Sequence, residues 1–276
     1  MYRKFYGLTR KPFEVSPDPY FYYPTQRHNE ALAILTYGVQ EKKGFVVVSG
    51  EVGTGKTLLV RCLLDALSQH RVAFAFVFNP VLSVIDFLTL LLHDLGVPAK
   101  SQSKIELLSL LNHHLLTRSR RGEATALIVD EAQLLSFELL EEIRLLTNLE
   151  TSLFKLLQIV LVGQPELEAK LDSPQLRQLK QRVAMRYRLA PLDLQDVRGY
   201  VVRRLELAGA NSRASYIFPE DSFSALHRYS RGIPRLINTI CENCMISGYS
   251  KQAKQITPAI VEEVSTDLCL EFAAVS

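Results

Sequence analysis

Long apolar runs are missing from this sequence. No stretch approaches the roughly 18 to 20 uninterrupted apolar residues that span a bilayer, and the N-terminal MYRKFYGLTRKPFEVSPDPY has basic residues without the apolar segment of a secretory signal. Cysteine is scarce, with four in 276 residues, which excludes a disulfide framework and suits a reducing compartment. Cys241 and Cys244 have C-x-x-C spacing, yet no second pair of Cys or His follows at zinc spacing. The pair also falls inside a helical pattern, so it reads as two small buried hydrophobes. An excess of one charge is missing too: 32 Lys and Arg against 29 Asp and Glu leave a net charge of +3. Binding to nucleic acid or membrane needs a concentrated basic face rather than a slight excess. There is no internal repeat and no low-complexity tract. These absences describe a soluble, cytoplasmic chain with no direct membrane span.

What is present has the composition of an ordinary globular protein, and its length fits one large core with a smaller appended domain. Apolar runs rich in Val, Ile and Phe occur at 45–49, 72–78, 125–129, 156–162 and 186–190. They alternate with leucine-striped helical segments at 57–69, 84–95, 105–120 and 137–149, the pattern of a five-stranded parallel sheet covered by helices. After Pro191 the strand signal ends, and helices are expected at 193–209, 219–230, 233–249 and 258–268. Pro219 and Pro258 are placed to open helices, Gly209 and Gly232 to stop them. The expected division is an α/β domain over 1–191 and an all-helical lid over 192–276.

The segment Gly50, Glu51, Val52, Gly53, Thr54, Gly55, Lys56, Thr57 matches G-x-x-x-x-G-K-[ST], between the strand run FVVVS and a helical run that begins Thr57, Leu58. Glycines at 50, 53 and 55 let the backbone turn its N–H groups toward a phosphate, and the helix N-terminus favours the same anion. Lys56 is placed to reach the β- and γ-phosphates, and the Thr57 hydroxyl to ligate Mg2+. A second signal supports the first: the apolar run TALIV ends in Asp130 and Glu131, at the carboxyl edge of a parallel sheet where ligands bind. This Walker B pattern gives Asp130 to Mg2+ and Glu131 to the attacking water. The fold class is therefore an α/β P-loop NTPase with a helical lid.

These motifs, with the N-terminal FYGLTRKPFEVSPDPYFYYP, the LVGQPEL and LKQR segments and GIPRLIN, resemble the AAA+ ATPases, and within them the secretion pathway protein A group. The resemblance covers nearly the whole chain. It implies ATP rather than GTP, in keeping with the lack of an NKxD-like guanine motif, and argues against a P-loop kinase. It implies that Gln164 is sensor 1, that Arg235 in GIPR is sensor 2, and that Arg182 is the arginine finger given to a neighbouring subunit, with Arg177 as the competing candidate. Asn79 resembles the residue that holds the catalytic glutamate inactive, and Tyr20, Phe21 or Tyr22 the adenine-side aromatics. A homo-oligomer and a membrane or secretion-complex protein partner follow from the same resemblance. Members of the group continue past the ATPase into a transmembrane helix and a periplasmic domain, so the chain reads as either a stand-alone ATPase or the ATPase module. The alternative is an ATP-switched, DNA-binding adaptor like transposition regulators, motivated by the basic run Arg177, Lys180, Arg182, Arg186 and Arg188.

Overall fold

Each of the five apolar runs is a strand in the computed structural model, which describes residues 1–14, 18–152, 154–210 and 213–270. Val15–Pro17 of the N-terminal motif lie outside the described residues. The chain opens with helices α1 (Tyr2–Tyr6) and α2 (Gln26–Gln40), then strand β1 (Phe45–Gly50), α3 (Lys56–Gln69) and β2 (Ala73–Val77). It continues through α4 (Val84–Asp94), α5 (Lys104–Arg120), β3 (Thr125–Val129), α6 (Phe137–Leu146) and β4 (Gln158–Gly163). Next come α7 (Pro165–Leu171), α8 (Arg177–Lys180), β5 (Met185–Leu189) and α9 (Leu194–Leu205). The last helices are α10 (Ala214–Ile217), α11 (Ser222–Ser230), α12 (Pro234–Ser250) and α13 (Pro258–Asp267). The chain divides into two compact units, one of Gln26–Gly50 with Leu59–Leu189, the other of Met1–Thr25, Glu51–Leu58 and Ala190–Ser276.

The first unit holds a five-stranded sheet of order β2-β3-β4-β1-β5, and every strand pair is parallel. The three central strands β1, β3 and β4 are apolar on both faces because both faces are covered, whereas the edge strand β5 exposes Arg186 and Arg188. Phe45, Val47, Leu127, Val129, Ile159 and Leu161 pack with leucines of α4, α5 and α6, while Val46, Val48, Ala126, Ile128, Val160 and Val162 pack with α2 and α3. On α3 the buried Leu59, Leu63 and Leu67 recur at four-residue spacing, so one stripe of the helix lies on the sheet. Ser83 and Ser136 cap α4 and α6 by accepting from Asp86 N and Leu139 N, satisfying otherwise orphaned first-turn donors. Parallel order has one consequence for function: Gly50, Asp130 and Gln164, which end or follow β1, β3 and β4, all emerge on the carboxyl edge of the sheet.

The second unit has its own core, built from residues such as Phe13, Phe21, Phe218, Phe223, Ile237, Met245 and Val261. Its N-terminal segment is held by side-chain hydrogen bonds. The Tyr2 hydroxyl donates to Glu242, the Tyr6 hydroxyl to Ala253 O at 3.0 Å, and the buried Arg204 guanidinium to Pro12 O at 2.6 Å and the Tyr200 hydroxyl at 2.9 Å. A buried guanidinium is tolerated because its donors are matched. Burial pushes the Cys241 thiol well above its ordinary value and that of Cys244 up to about 12, which keeps both protonated and unreactive. No helix among the described residues is long and apolar enough to cross a membrane.

Two proline and glycine expectations resolve differently. Pro258 opens α13, but Pro219 lies outside α11, which begins at Ser222; the Pro219 carbonyl instead accepts from Ser222 N at 3.0 Å and from its hydroxyl at 2.6 Å, ending a turn that precedes the helix. Gly209 (φ 104) kinks the chain inside a π-helical turn, Glu206–Ala210, that follows α9. Gly232 has φ 70, and a Cβ there would lie 1.9 Å from the Leu192 carbonyl oxygen, which no rotamer change relieves. Gly232→Ala is expected to destabilise the protein by about 3 kcal/mol, from left-handed backbone strain plus overlap with backbone. Chemical denaturation reads this directly; a midpoint equal to wild type would contradict it.

Candidate functional site

The glycine-rich loop begins where β1 ends. Gly50 is the last strand residue, paired with Leu189 of β5, and is not among the positive-φ positions; the left-handed turns fall on Gly53 (φ 82) and Gly55 (φ 100). Three glycines were expected to supply that freedom and two do, because the sixth strand residue is still held in the sheet. Inside the loop the Glu51 carbonyl is the anchor, accepting from the Thr54 hydroxyl at 2.8 Å and from Lys56 Nζ at 2.9 Å. The Lys56 side chain is buried, 6% exposed, so its ammonium is held in place rather than waving in solvent. Thr57 and Leu58 follow in the first turn of α3, both half-buried, while Glu51 and Val52 are exposed.

Arg235 joins this loop. Its backbone N–H at the start of α12 donates to Gly53 O at 3.2 Å, and a Cβ on Gly53 would stand 2.8 Å from Arg235 Cβ and 3.0 Å from Ile233 Cγ2. The GIPR segment thus packs on the loop through backbone, with the arginine side chain exposed. Gly53 is fixed twice over, by its φ and by this close approach.

At the sheet edge, Asp130 is 4% exposed, and its N–H donates to Val77 O at 2.9 Å. Its Oδ1 accepts from the Glu131 N–H at 2.9 Å. Glu131 adopts left-handed φ 52, ψ 36, a conformation that costs a residue with a Cβ about 1 kcal/mol and is found at sites where the surroundings enforce it. Its Oε2 accepts two amide donors, Gln133 Nε2 at 2.5 Å and Gln164 Nε2 at 3.1 Å. Gln164, at the N-cap of α7, therefore meets the glutamate. Asn79, expected as the glutamate's restraint, is exposed; Glu131 is instead held by Gln133, from its own loop, and by Gln164. Lys170 Nζ donates to Gln133 O at 2.7 Å and Leu135 O at 2.8 Å, fixing the turn that carries Gln133. No group of three His, Cys, Asp or Glu side chains gathers for a metal among the described residues. Asp130 carries carboxylate oxygens and Thr57 a hydroxyl oxygen, hard donors of the kind Mg2+ prefers.

Part of the basic run is engaged locally. Arg182 Nη1 donates to Arg144 O at 3.2 Å, Asn148 Oδ1 at 2.6 Å and the Thr147 hydroxyl, so this guanidinium caps the carbonyl end of α6. Lys180 and Arg186 meet Asp172 at 2.8 and 3.4 Å, and the Lys180 hydrogen bond above all holds that carboxyl below its ordinary value. Arg177 is exposed. Of the candidate adenine-side aromatics, Phe21 is committed to the helical core, under the Arg204 guanidinium at 4.7 Å.

Comparison with known proteins agrees with this reading of the fold. Residues 39–171 match a family model described as an AAA domain. The chain is 46% identical over 257 residues to general secretion pathway protein A of Aeromonas hydrophila, a match covering 93% of this chain and 46% of that protein. It spans a little under half the length of that relative. Among solved structures it is similar to Drosophila ORC bound to DNA (TM-score 0.71, 20% identity, 96% of this chain and 66% of that one). It is likewise similar to Cdc6p from Pyrobaculum aerophilum (TM-score 0.67, 19% identity, 95% and 71%). These structural likenesses speak to the fold alone.

Proposed function

The chain is of the AAA+ ATPase family and resembles general secretion pathway protein A, and from this premise we propose that it binds and hydrolyses Mg-ATP to drive assembly or remodelling of a protein complex. The observation that carries the proposal is the Glu131 carboxylate, oriented by Gln164 at the sheet edge that also launches the glycine-rich loop. In this reading Gly50–Leu58 cradle the phosphates and Lys56 neutralises the β- and γ-phosphates. Thr57 and Asp130 would hold Mg2+, which when bound would stabilise the negative charge that builds on the phosphate oxygens. Glu131 accepts the proton of the attacking water as its oxygen bonds to the γ-phosphorus and the bond to the ADP oxygen breaks. Gln164 aligns that water, and Arg235 answers the γ-phosphate from the lid, residues 192–276.

A neighbouring subunit supplies one more guanidinium in a cytoplasmic homo-oligomer, with a membrane or secretion-complex protein as partner. Of the two candidates, Arg177 is exposed whereas Arg182 is tied to the end of α6, which favours Arg177 as the group offered outward. The DNA-binding alternative rests on the cationic run, in which Lys180 and Arg186 share the carboxylate of Asp172. Specific ATPase activity measured against protein concentration tests the oligomer. Activity is expected to rise with concentration and to fall on Arg177→Ala; concentration-independent turnover stimulated by DNA would replace this reading with the adaptor.

A further inference from the structure

Gln133 takes no part in the steps assigned to Glu131 and Gln164, yet its amide is used at both ends. Its Nε2 donates to Glu131 Oε2 at 2.5 Å, and its Oε1 accepts from the Gln164 backbone N–H at 3.0 Å. Those partners fix the amide's orientation without ambiguity: a carboxylate accepts only from the NH2 end, and an N–H donates only to the oxygen. Room for this bridge exists because residue 163 is glycine; a Cβ there would stand 2.9 Å from Gln133 Oε1. The turn beneath it is pinned by Lys170. One side chain therefore links the end of β3 to the end of β4.

We propose that Gln133 is a positioning residue for hydrolysis, which rests on the reading of Glu131 as the general base. Both amide donors converge on Glu131 Oε2, and Oε1 carries no hydrogen bond among the described residues. The bridge thereby dedicates Oε2 to orientation and presents Oε1 to the water. It also sets the distance between Glu131 and the backbone that carries Gln164, so a shift at the tip of β4 reaches the base through a single amide. Holding a base within hydrogen-bond reach of its proton is worth on the order of 10- to 100-fold in rate, because small misplacements are heavily penalised. Without the bridge the left-handed Glu131 has only Gln164 to hold its carboxylate.

The test compares Gln133→Ala, Gln133→Glu and Gly163→Ala with wild type in steady-state Mg-ATP turnover, in equilibrium nucleotide binding and in amide exchange at Gln164. Gln133→Glu keeps the size but opposes two carboxylates. Gly163→Ala leaves Gln133 in the sequence and crowds both its amide and the buried Leu167, so its kcat is taken per folded fraction. The expected result is a fall in kcat of about 10- to 100-fold with nucleotide affinity within about threefold of wild type, together with faster exchange of the Gln164 amide in every variant. A purely packing role would lower stability and leave kcat of the folded fraction unchanged. Unchanged kcat in these variants while Glu131→Gln remains inactive overturns the proposal and leaves the hydrolysis reading intact; full activity in Glu131→Gln overturns both.

Discussion

Glu131→Gln is expected to lower turnover by about 10³-fold or more while nucleotide affinity stays within a few-fold of wild type. The two side chains have nearly the same shape, so an amide at residue 131 fills the place between Gln133 and Gln164. What it lacks is a lone pair basic enough to take a proton from water, and general-base contributions of this kind run to about 10²–10⁴. Gln133 and Gln164 both donate to the one carboxylate oxygen Oε2, and an amide oxygen in its place can still accept from both, so the substitution leaves the positioning bonds available. Measuring kcat beside the affinity for a fluorescent ATP analogue separates the chemical step from binding. A fall in affinity as large as the fall in kcat would show that Glu131 holds nucleotide rather than activates water.

Lys56→Ala is expected to act on the other half of the problem, weakening nucleotide binding by about 10²-fold through the loss of charge-assisted hydrogen bonds to phosphate. The buried ammonium reaches the Glu51 carbonyl at 2.9 Å, which still accepts from the Thr54 hydroxyl at 2.8 Å after the substitution. The loop keeps an anchor, and removing a buried charge relieves a desolvation cost, so the stability without ligand should stay within about 1 kcal/mol. Calorimetric titration with Mg-ATP beside thermal unfolding of the free protein distinguishes these effects. A stability loss above about 3 kcal/mol with unchanged affinity would mean that Lys56 is structural.

Much of the fold is legible because its central strands β1, β3 and β4 are buried on both faces and so read as unbroken apolar runs, with leucine stripes marking the helices laid over them. Helix α2 is less legible: QRHNEALAILTYGVQ has Ala31, Leu35 and Val39 at helical spacing but a polar first turn. The short α7 was hidden behind Pro165, which reads as a break and acts as the first helical residue. In the site, Lys56, Asp130 and Glu131 were visible because their chemistry fixes their spacing from glycines or from a strand end. Gln133 was not, since a glutamine two residues beyond a strand-end acid carries no signal until the turn Ala132–Leu134 swings its amide back to Glu131. Arg182 illustrates the converse: a charged residue in a family-like segment suggests a role toward a neighbour, while its contacts to the carbonyl end of α6 depend on tertiary packing that the sequence does not display.

The most direct test of the central claim is a single-turnover experiment with the chain in excess over labelled Mg-ATP, following phosphate formation in wild type and Glu131→Gln. The account predicts complete conversion to ADP and phosphate by wild type, and nucleotide that stays bound and uncleaved on Glu131→Gln. Nucleotide that binds wild type and is never cleaved, or cleavage at equal rates in both proteins, would contradict it.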